Sequence, residues 1–241
     1  MKPILLVVAL AGAAAACRGG QGAARTDTAA AANAAASGSS NTGANANGNA
    51  NASAGTVSTA PGTVPASIDA IGHHGENAYD MVKAGSWAGA RASVDSLRPM
   101  LDSIPGSATI AFRELDRSVA RKDQRAALLA SNRLTQLGAL LAEPYHPAVP
   151  AQVMLLDFDG RELEIWAAAN DRARLRETVS AMRRTWNAVR PQVEARGGHT
   201  EATRFDALVR RVETATTPTD FARLATPVLD AVDTLEQVFT R

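Results

Sequence analysis

Residues 217–240 have the sequence TPTDFARLATPVLDAVDTLEQVFT, which contains the start and the buried face of one helix. Thr217 suits the N-cap, Pro218 suits the first helical position, and Asp220 places a negative charge in the first turn. The apolar residues that follow recur at intervals of three and four: Phe221, Leu224, Val228, Val232, Leu235 and Phe239. Such a stripe is typical of a helix that packs one face into a core. The stretch therefore predicts a core-facing helix over 218–240.

Helical periodicity extends from this stretch back to residue 67. The predicted helices cover residues 67–83, 86–103 with a bend at Pro99, 107–122, 123–142, 150–169, 171–195, 200–214 and 218–240. Glycine and proline separate them, as at Gly85, Pro105-Gly106 and Gly197-Gly198. Short breaks between amphipathic helices favour antiparallel neighbours. We therefore expect an all-α fold, an antiparallel multi-helix bundle, with a short α-solenoid of helical hairpins as the alternative.

Residues 153–166, VMLLDFDGRELEIW, are compatible with two structures. Asp159-Gly160 is a hairpin turn signal, so the segment could form a β-hairpin. Its apolar residues and Gly160 also form a helical stripe, and the segment continues into the alanines at 167–169. An isolated hairpin is marginal in water, and no other strand is predicted. We therefore predict a helix in which Gly160 marks a close approach to another helix.

The chain before residue 67 has a different composition. Residues 17–66 consist largely of alanine, asparagine, glycine, serine and threonine, and they contain no aromatic residue. Such a segment buries too little apolar surface to offset the entropy of ordering. We expect a disordered tether over 17–66 and a helical domain over 67–241. Pro144, Pro147 and Pro150 indicate that any subdivision of the domain lies near 143–150.

The N-terminus has the features of an export signal. Lys2 is followed by an apolar run over 4–11 and then by small residues up to Ala16. This pattern predicts a cleavable signal peptide over 1–16. The apolar run is too short for a transmembrane helix, which needs about 20 residues.

The sequence Ala14-Ala15-Ala16-Cys17 resembles the lipobox of bacterial lipoprotein signals, although Ala14 stands where leucine is usual. The resemblance covers residues 1–17. It implies that Cys17 becomes the first mature residue and carries acyl chains such as palmitate, which would hold the protein at the membrane. Arg18, in place of the aspartate that retains some lipoproteins at the inner membrane, implies the outer membrane facing the periplasm in a Gram-negative cell. Cys17 is the chain's one cysteine, so lipidation would leave no thiol for disulfides, metals or catalysis.

His73 and Glu76 are the candidates for metal ligands. They lie three residues apart, so a helix places them on one face. The His-x-x-Glu pattern resembles one in helical periplasmic imelysin-like proteins, and this resemblance is two residues wide. No second such pair completes a site, so we expect an exposed polar helix start, no resident metal and no cofactor.

Other chemistry has little support in the sequence. Asp157, Asp159, Glu162 and Glu164 surround Arg161, and we interpret Asp157 and Arg161 as an ordinary ion pair on a helix. A net charge of +1 favours no nucleic-acid surface, and no phosphate loop or nucleophile elbow occurs. We expect a non-catalytic helical module that binds an envelope protein or a small ligand, with a metal-binding helical bundle as the alternative.

The lipid anchor leads to a direct prediction. In a bacterium that processes lipoproteins, Cys17→Ala should abolish incorporation of labelled palmitate and release the protein from the membrane fraction, because no thiol remains to be acylated. Ser37→Ala in the predicted tether is the control and should keep the label. Palmitate retained by the Cys17 variant would contradict the predicted anchor.

Overall fold

The computed structural model describes residues 62–241, so the predicted signal peptide, Cys17 and most of the predicted tether lie outside the described residues. Within this range the helices are α1 Ala66–Lys83, α2 Trp87–Leu97, α3 Gly106–Arg121, α4 Gln124–Ala142, α5 Ala151–Ala168, α6 Arg172–Ala195, α7 His199–Thr214 and α8 Pro218–Thr240. Two 3-10 segments cover Arg98–Ser103 and Glu143–Tyr145. The described residues contain no strand, which confirms the all-α prediction. In that same range no helix is long and apolar enough to cross a membrane.

The helices form two groups of four. In the first group α1 packs on α2 and α4, and α3 packs on α2 and α4. In the second group α5 packs on α6 and α8, and α7 packs on the same two helices. A solenoid would leave the first and last helices of each group apart. The contacts of α1 with α4 and of α5 with α8 close each group, so the fold is a helical bundle.

Each group has its own apolar core. One core contains residues of α1 to α4, and the other consists mainly of residues of α5 to α8. Side chains of the first group reach the second core: Tyr79 of α1 belongs to it, Leu129 of α4 packs against it, and Leu128 of α4 packs against both cores. The packing of α4 on α5 joins the two groups across the connection at 143–150.

Within residues 62–241, local sequence signals account for the starts of α4, α6 and α8 and for the end of α2. Thr217 accepts a hydrogen bond from the Asp220 amide, and the Asp220 side chain accepts one from the Thr217 amide, which completes a capping box. Asp123 and Asp171 likewise cap α4 and α6. The prediction for 86–103 was too long, because α2 ends at Leu97 and a 3-10 segment follows. Pro99 lacks an amide hydrogen and crowds the preceding turn, so the α-helix does not continue past it.

Helix α5 runs without a break through Asp159-Gly160, so the prediction of a helix was correct. Gly160 lies directly against α8, and a Cβ atom at this position would come within 2.7 Å of Leu229 Cδ2. The predicted close helix approach at Gly160 is therefore confirmed.

A second close approach joins α1 to α4. A Cβ atom on Gly138 would lie 2.7 Å from both Cα and the amide nitrogen of Gly72. A Cβ atom on Gly75 would lie 2.9 Å from the amide nitrogen of Thr135. In both cases the obstacle is backbone, which cannot move aside as a flexible side chain can. Glycine thus sets the spacing between α1 and α4.

The close contact between α1 and α4 predicts that alanine at Gly138 and alanine at Gly72 change the free energy of unfolding by different amounts. Gly138→Ala should lower the free energy of unfolding by about 1–3 kcal/mol, because the added methyl group overpacks against α1. Gly72→Ala is the matched control, since its Cβ atom would meet nothing closer than 3.9 Å. That variant should be neutral or more stable by up to about 1 kcal/mol, because alanine favours helix. Urea unfolding of both variants checks the prediction, and equal effects would contradict it.

Candidate functional site

Helix α5 carries three charged residues in the interior of the protein. Asp157, Asp159 and Arg161 are 8%, 3% and 8% exposed, respectively. They are buried because α4, α6 and α8 pack around α5. Asp157 and Arg161 form the predicted ion pair, with 3.0 Å between Oδ2 and Nη2. The predicted ion pair is therefore present, and both of its side chains are buried.

Arg161 is held by groups from three helices. Besides Asp157, it donates a hydrogen bond to the Thr135 hydroxyl of α4 at 3.2 Å. Its guanidinium carbon lies 5.1 Å from the centre of the Tyr79 ring of α1, which is within the range of a cation–π contact. These contacts partly replace the water that the guanidinium loses on burial.

Further carboxylates lie around this pair. Glu76 and Asp80 come from α1, and Asp233 and Glu236 come from α8. Burial raises the pKa of Glu76 to about 7, although the positive charge of Arg161 opposes the rise. Burial also raises the pKa of Glu236, and the neighbouring carboxylates of Asp157 and Asp233 add to it. Glu76 can therefore exchange a proton near neutral pH.

Asp159 lies in a separate environment on α5. Its Oδ2 atom accepts no hydrogen bond from any residue in 62–241. Burial raises the pKa of Asp159 to about 8, and the negative charge of Glu162 adds to the rise. Arg184 of α6 opposes the rise only in part. The carboxyl group of Asp159 is therefore mostly protonated at pH 7.

Glu164 connects the interior of the protein to its surface. Its Oε2 atom accepts a hydrogen bond from the Tyr79 hydroxyl at 2.8 Å, and its Oε1 atom lies 2.5 Å from Lys83 Nζ. Tyr79 also contacts Arg161, because the Arg161 guanidinium lies over the Tyr79 ring. Tyr79 thus stands between the buried charges and an open groove on the surface.

This groove, which we call the distal groove, has a volume of about 660 Å³. Its apolar lining comes from α4, α5 and α8 and from the turn after α5: Leu128, Ile165, Ala167, Ala168, Ala169, Pro218 and Ala222. Its polar lining comes from α1, α4, α5 and α8: Tyr79, Lys83, Gln124, Arg125, Glu164 and Thr219. Volumes of about 300–1,000 Å³ with an apolar lining and a few polar groups are typical of small-molecule sites.

The distal groove lies at the end of the bundle opposite to the start of α1. The Gly62 amide donates a hydrogen bond to the Tyr145 carbonyl at 2.9 Å, so the chain reaches the bundle beside the end of α4. From Ala66, α1 runs for 18 residues to Lys83 in the groove. At 1.5 Å per residue this is a distance of about 27 Å.

The two predicted metal-ligand candidates have different surroundings. His73 is exposed and is hydrogen-bonded to Asn77 at 3.0 Å, and its ring contacts that of His74. Glu76 belongs instead to the group of carboxylates around Arg161. Residues 62–241 contain no group of three histidine, cysteine or acidic side chains placed to hold a metal ion. Metal binding through His73 and Glu76 stays the alternative hypothesis.

Sequence reasoning missed the main partners in this region. The charged residues of α5 were visible as a cluster, but Tyr79, Thr135 and Glu236 were not associated with them. The one available signal lay in α5 itself, where charged and apolar residues are mixed around the helix. A helix that lacks a clearly polar face is typical of burial on several sides.

No protein-family model, curated protein or solved structure matches this chain significantly.

The buried Asp159 predicts a pH-dependent stability. The pKa of Asp159 is raised from 3.8 to about 8, so between these values the unfolded chain loses a proton that the folded chain keeps. The free energy of unfolding should therefore fall as pH rises from 4 to 8, by up to about 1.4 kcal/mol per pH unit from this group. Asp159→Asn should remove this contribution.

Urea unfolding at pH 5, 6 and 7 measures the difference between the wild type and Asp159→Asn. The variant should become more stable relative to the wild type as the pH rises. Asp230→Asn removes an exposed carboxyl group of α8 and is the matched control. A constant difference between Asp159→Asn and the wild type over this range would contradict the burial-induced shift.

Proposed function

We propose that this chain is a lipid-anchored protein of the cell envelope whose helical domain is a non-catalytic binding module. The observation that carries the proposal is the distal groove, with its volume of about 660 Å³ and its mainly apolar lining. The resemblance of residues 14–17 to a lipobox supports the anchor. We propose the outer membrane facing the periplasm as its location in a Gram-negative cell.

The construction of the distal groove supports binding of a small apolar or amphipathic ligand. Its walls are the ends of helices from both four-helix groups, which are fixed by packing rather than by a loop. Side chains on rigid helices keep a site close to its bound geometry, which reduces the entropy that binding costs. The polar groups of Lys83, Arg125 and Glu164 lie among the apolar residues, where they can orient a ligand.

The position of the groove fits a tethered protein. The chain reaches the bundle beside Tyr145, and the groove lies at the other end of α1. A flexible tether of the length of residues 17–61 would span on the order of 40 Å. In the proposed arrangement, the tether holds the domain near the membrane while the groove opens away from the attachment point.

A neutral apolar fluorescent dye, N-phenyl-1-naphthylamine, tests the proposed groove. The protein used is residues 17–241 with Cys17→Ala, which remains unlipidated. Ala222 is an exposed residue of the groove lining, so Ala222→Trp should fill the groove and weaken dye binding at least about tenfold, or 1.4 kcal/mol. Ala92→Trp, at an exposed position on α2 outside the groove lining, is the matched control and should bind as the parent does. No dye binding, or equal binding by all three proteins, would contradict the proposal.

A further inference from the structure

We infer that the ligand of the distal groove is an amphipathic monoanion: an unbranched acyl chain that ends in a carboxylate, with the carboxylate bound by Arg125. This inference rests on the proposed function and names the chemical class of the ligand. It follows from the charges at the rim of the groove and from the partners that each of them already has.

The apolar surface of the groove requires an apolar part of the ligand. Leu128 and Ile165 supply branched side chains, and residues 167–169 add a run of alanine methyl groups at the end of α5. Small side chains leave open space along this surface. Each methylene that such a ligand buries contributes about 0.8 kcal/mol. A flexible acyl chain matches this open, small-residue surface.

The negatively charged side chain at the rim of the groove is Glu164, and it already has partners. Both oxygens of Glu164 have partners, Lys83 at 2.5 Å on one side and the Tyr79 hydroxyl at 2.8 Å on the other. Glu164 and Lys83 therefore neutralise each other. A cationic ligand would have to displace Lys83 to reach this carboxylate, so the groove offers it no free counter-ion.

The positive group that remains is Arg125. It is exposed, and no carboxylate in residues 62–241 forms an ion pair with it. Arg174, which lies over the same Trp166 ring at 5.6 Å, is by contrast paired with Glu177 at 3.0 Å. The rim of the groove thus carries one net positive charge, at Arg125.

Trp166 fixes the position of this charge. The guanidinium carbon of Arg125 lies 5.4 Å from the centre of the Trp166 ring, within the range of a cation–π contact. Stacking on a buried ring restricts the side chain while its edge N–H groups stay free to donate. A guanidinium edge matches the two oxygens of a carboxylate in a bidentate arrangement. The groove and Arg125 together therefore favour a long-chain monocarboxylate.

Displacement of N-phenyl-1-naphthylamine from the Cys17→Ala mature chain tests this inference. The competitors are dodecanoate, 1-dodecanol and dodecyltrimethylammonium, each below the concentration at which it aggregates. Dodecanoate should bind about tenfold more tightly than the neutral and the cationic compounds, because only it can pair with Arg125. Equal affinities for the three compounds would overturn the inference while leaving the groove as a binding site.

Two variants test whether the carboxylate of the ligand binds at Arg125. Arg125→Gln should weaken dodecanoate binding about tenfold and leave 1-dodecanol binding unchanged, because it removes the charge but not the apolar surface. Arg113→Gln, an exposed arginine of α3 outside the groove lining, is the matched control and should not alter dodecanoate binding. An unchanged affinity in Arg125→Gln would overturn the inference.

The Ala222→Trp variant distinguishes failure of the proposed groove function from failure of the inference about its ligand. Loss of dodecanoate and dye binding in this variant supports the groove as their common site. If the dye and all three compounds fail to bind the parent chain, the proposed function fails together with the inference. If dodecanoate binds Ala222→Trp as tightly as the parent, it binds elsewhere, and the inference is overturned.

Discussion

The ion pair between Asp157 and Arg161 lies where the two four-helix groups meet, and residues of both groups contact the Arg161 guanidinium. Helix α5 is covered by helices from both groups, so its charged residues lose most of their water. A lone buried charge would cost several kcal/mol, roughly 3–5 when one partner of a buried pair is removed. Thr135 from α4 and Tyr79 from α1 supply the further contacts that Arg161 needs. The charged centre of α5 thus constrains how the first group can pack on the second.

The distal groove is a consequence of the same packing. Tyr79 contacts the buried Arg161 with its ring and, through its hydroxyl, the Glu164 side chain at the rim of the groove. Leu128 packs against both cores and also lines the groove. Because the groove is formed where helix ends from both groups converge, its shape depends on their correct docking. The shape of the groove and the stability of the junction are therefore physically coupled.

The carboxylates around Arg161 outnumber the positive charge that could balance them. Glu76 and Asp80 from α1, and Asp233 and Glu236 from α8, add to Asp157. Burial and mutual repulsion favour retention of protons, which is why the pKa values of Glu76 and Glu236 are raised. These carboxylates therefore make the region around the α5 ion pair sensitive to pH.

The sequence by itself determined the helices, because caps and apolar stripes act over a few residues. Thr217 and Asp220 specify the start of α8, and the four-residue spacing of Asp157 and Arg161 specifies their pair. The sequence also favoured a helix at Asp159-Gly160, because no other strand was predicted there to pair with a hairpin.

Tertiary structure alone decided that the pair is buried, that the helices close into two groups, and that a groove forms. Those outcomes depend on residues far apart in the chain, such as Tyr79 and Glu164, whose side chains meet only after helices from both groups have packed. Burial, pKa shifts and concave surfaces arise from that packing. No local pattern in the sequence encodes which distant side chain will face a given position.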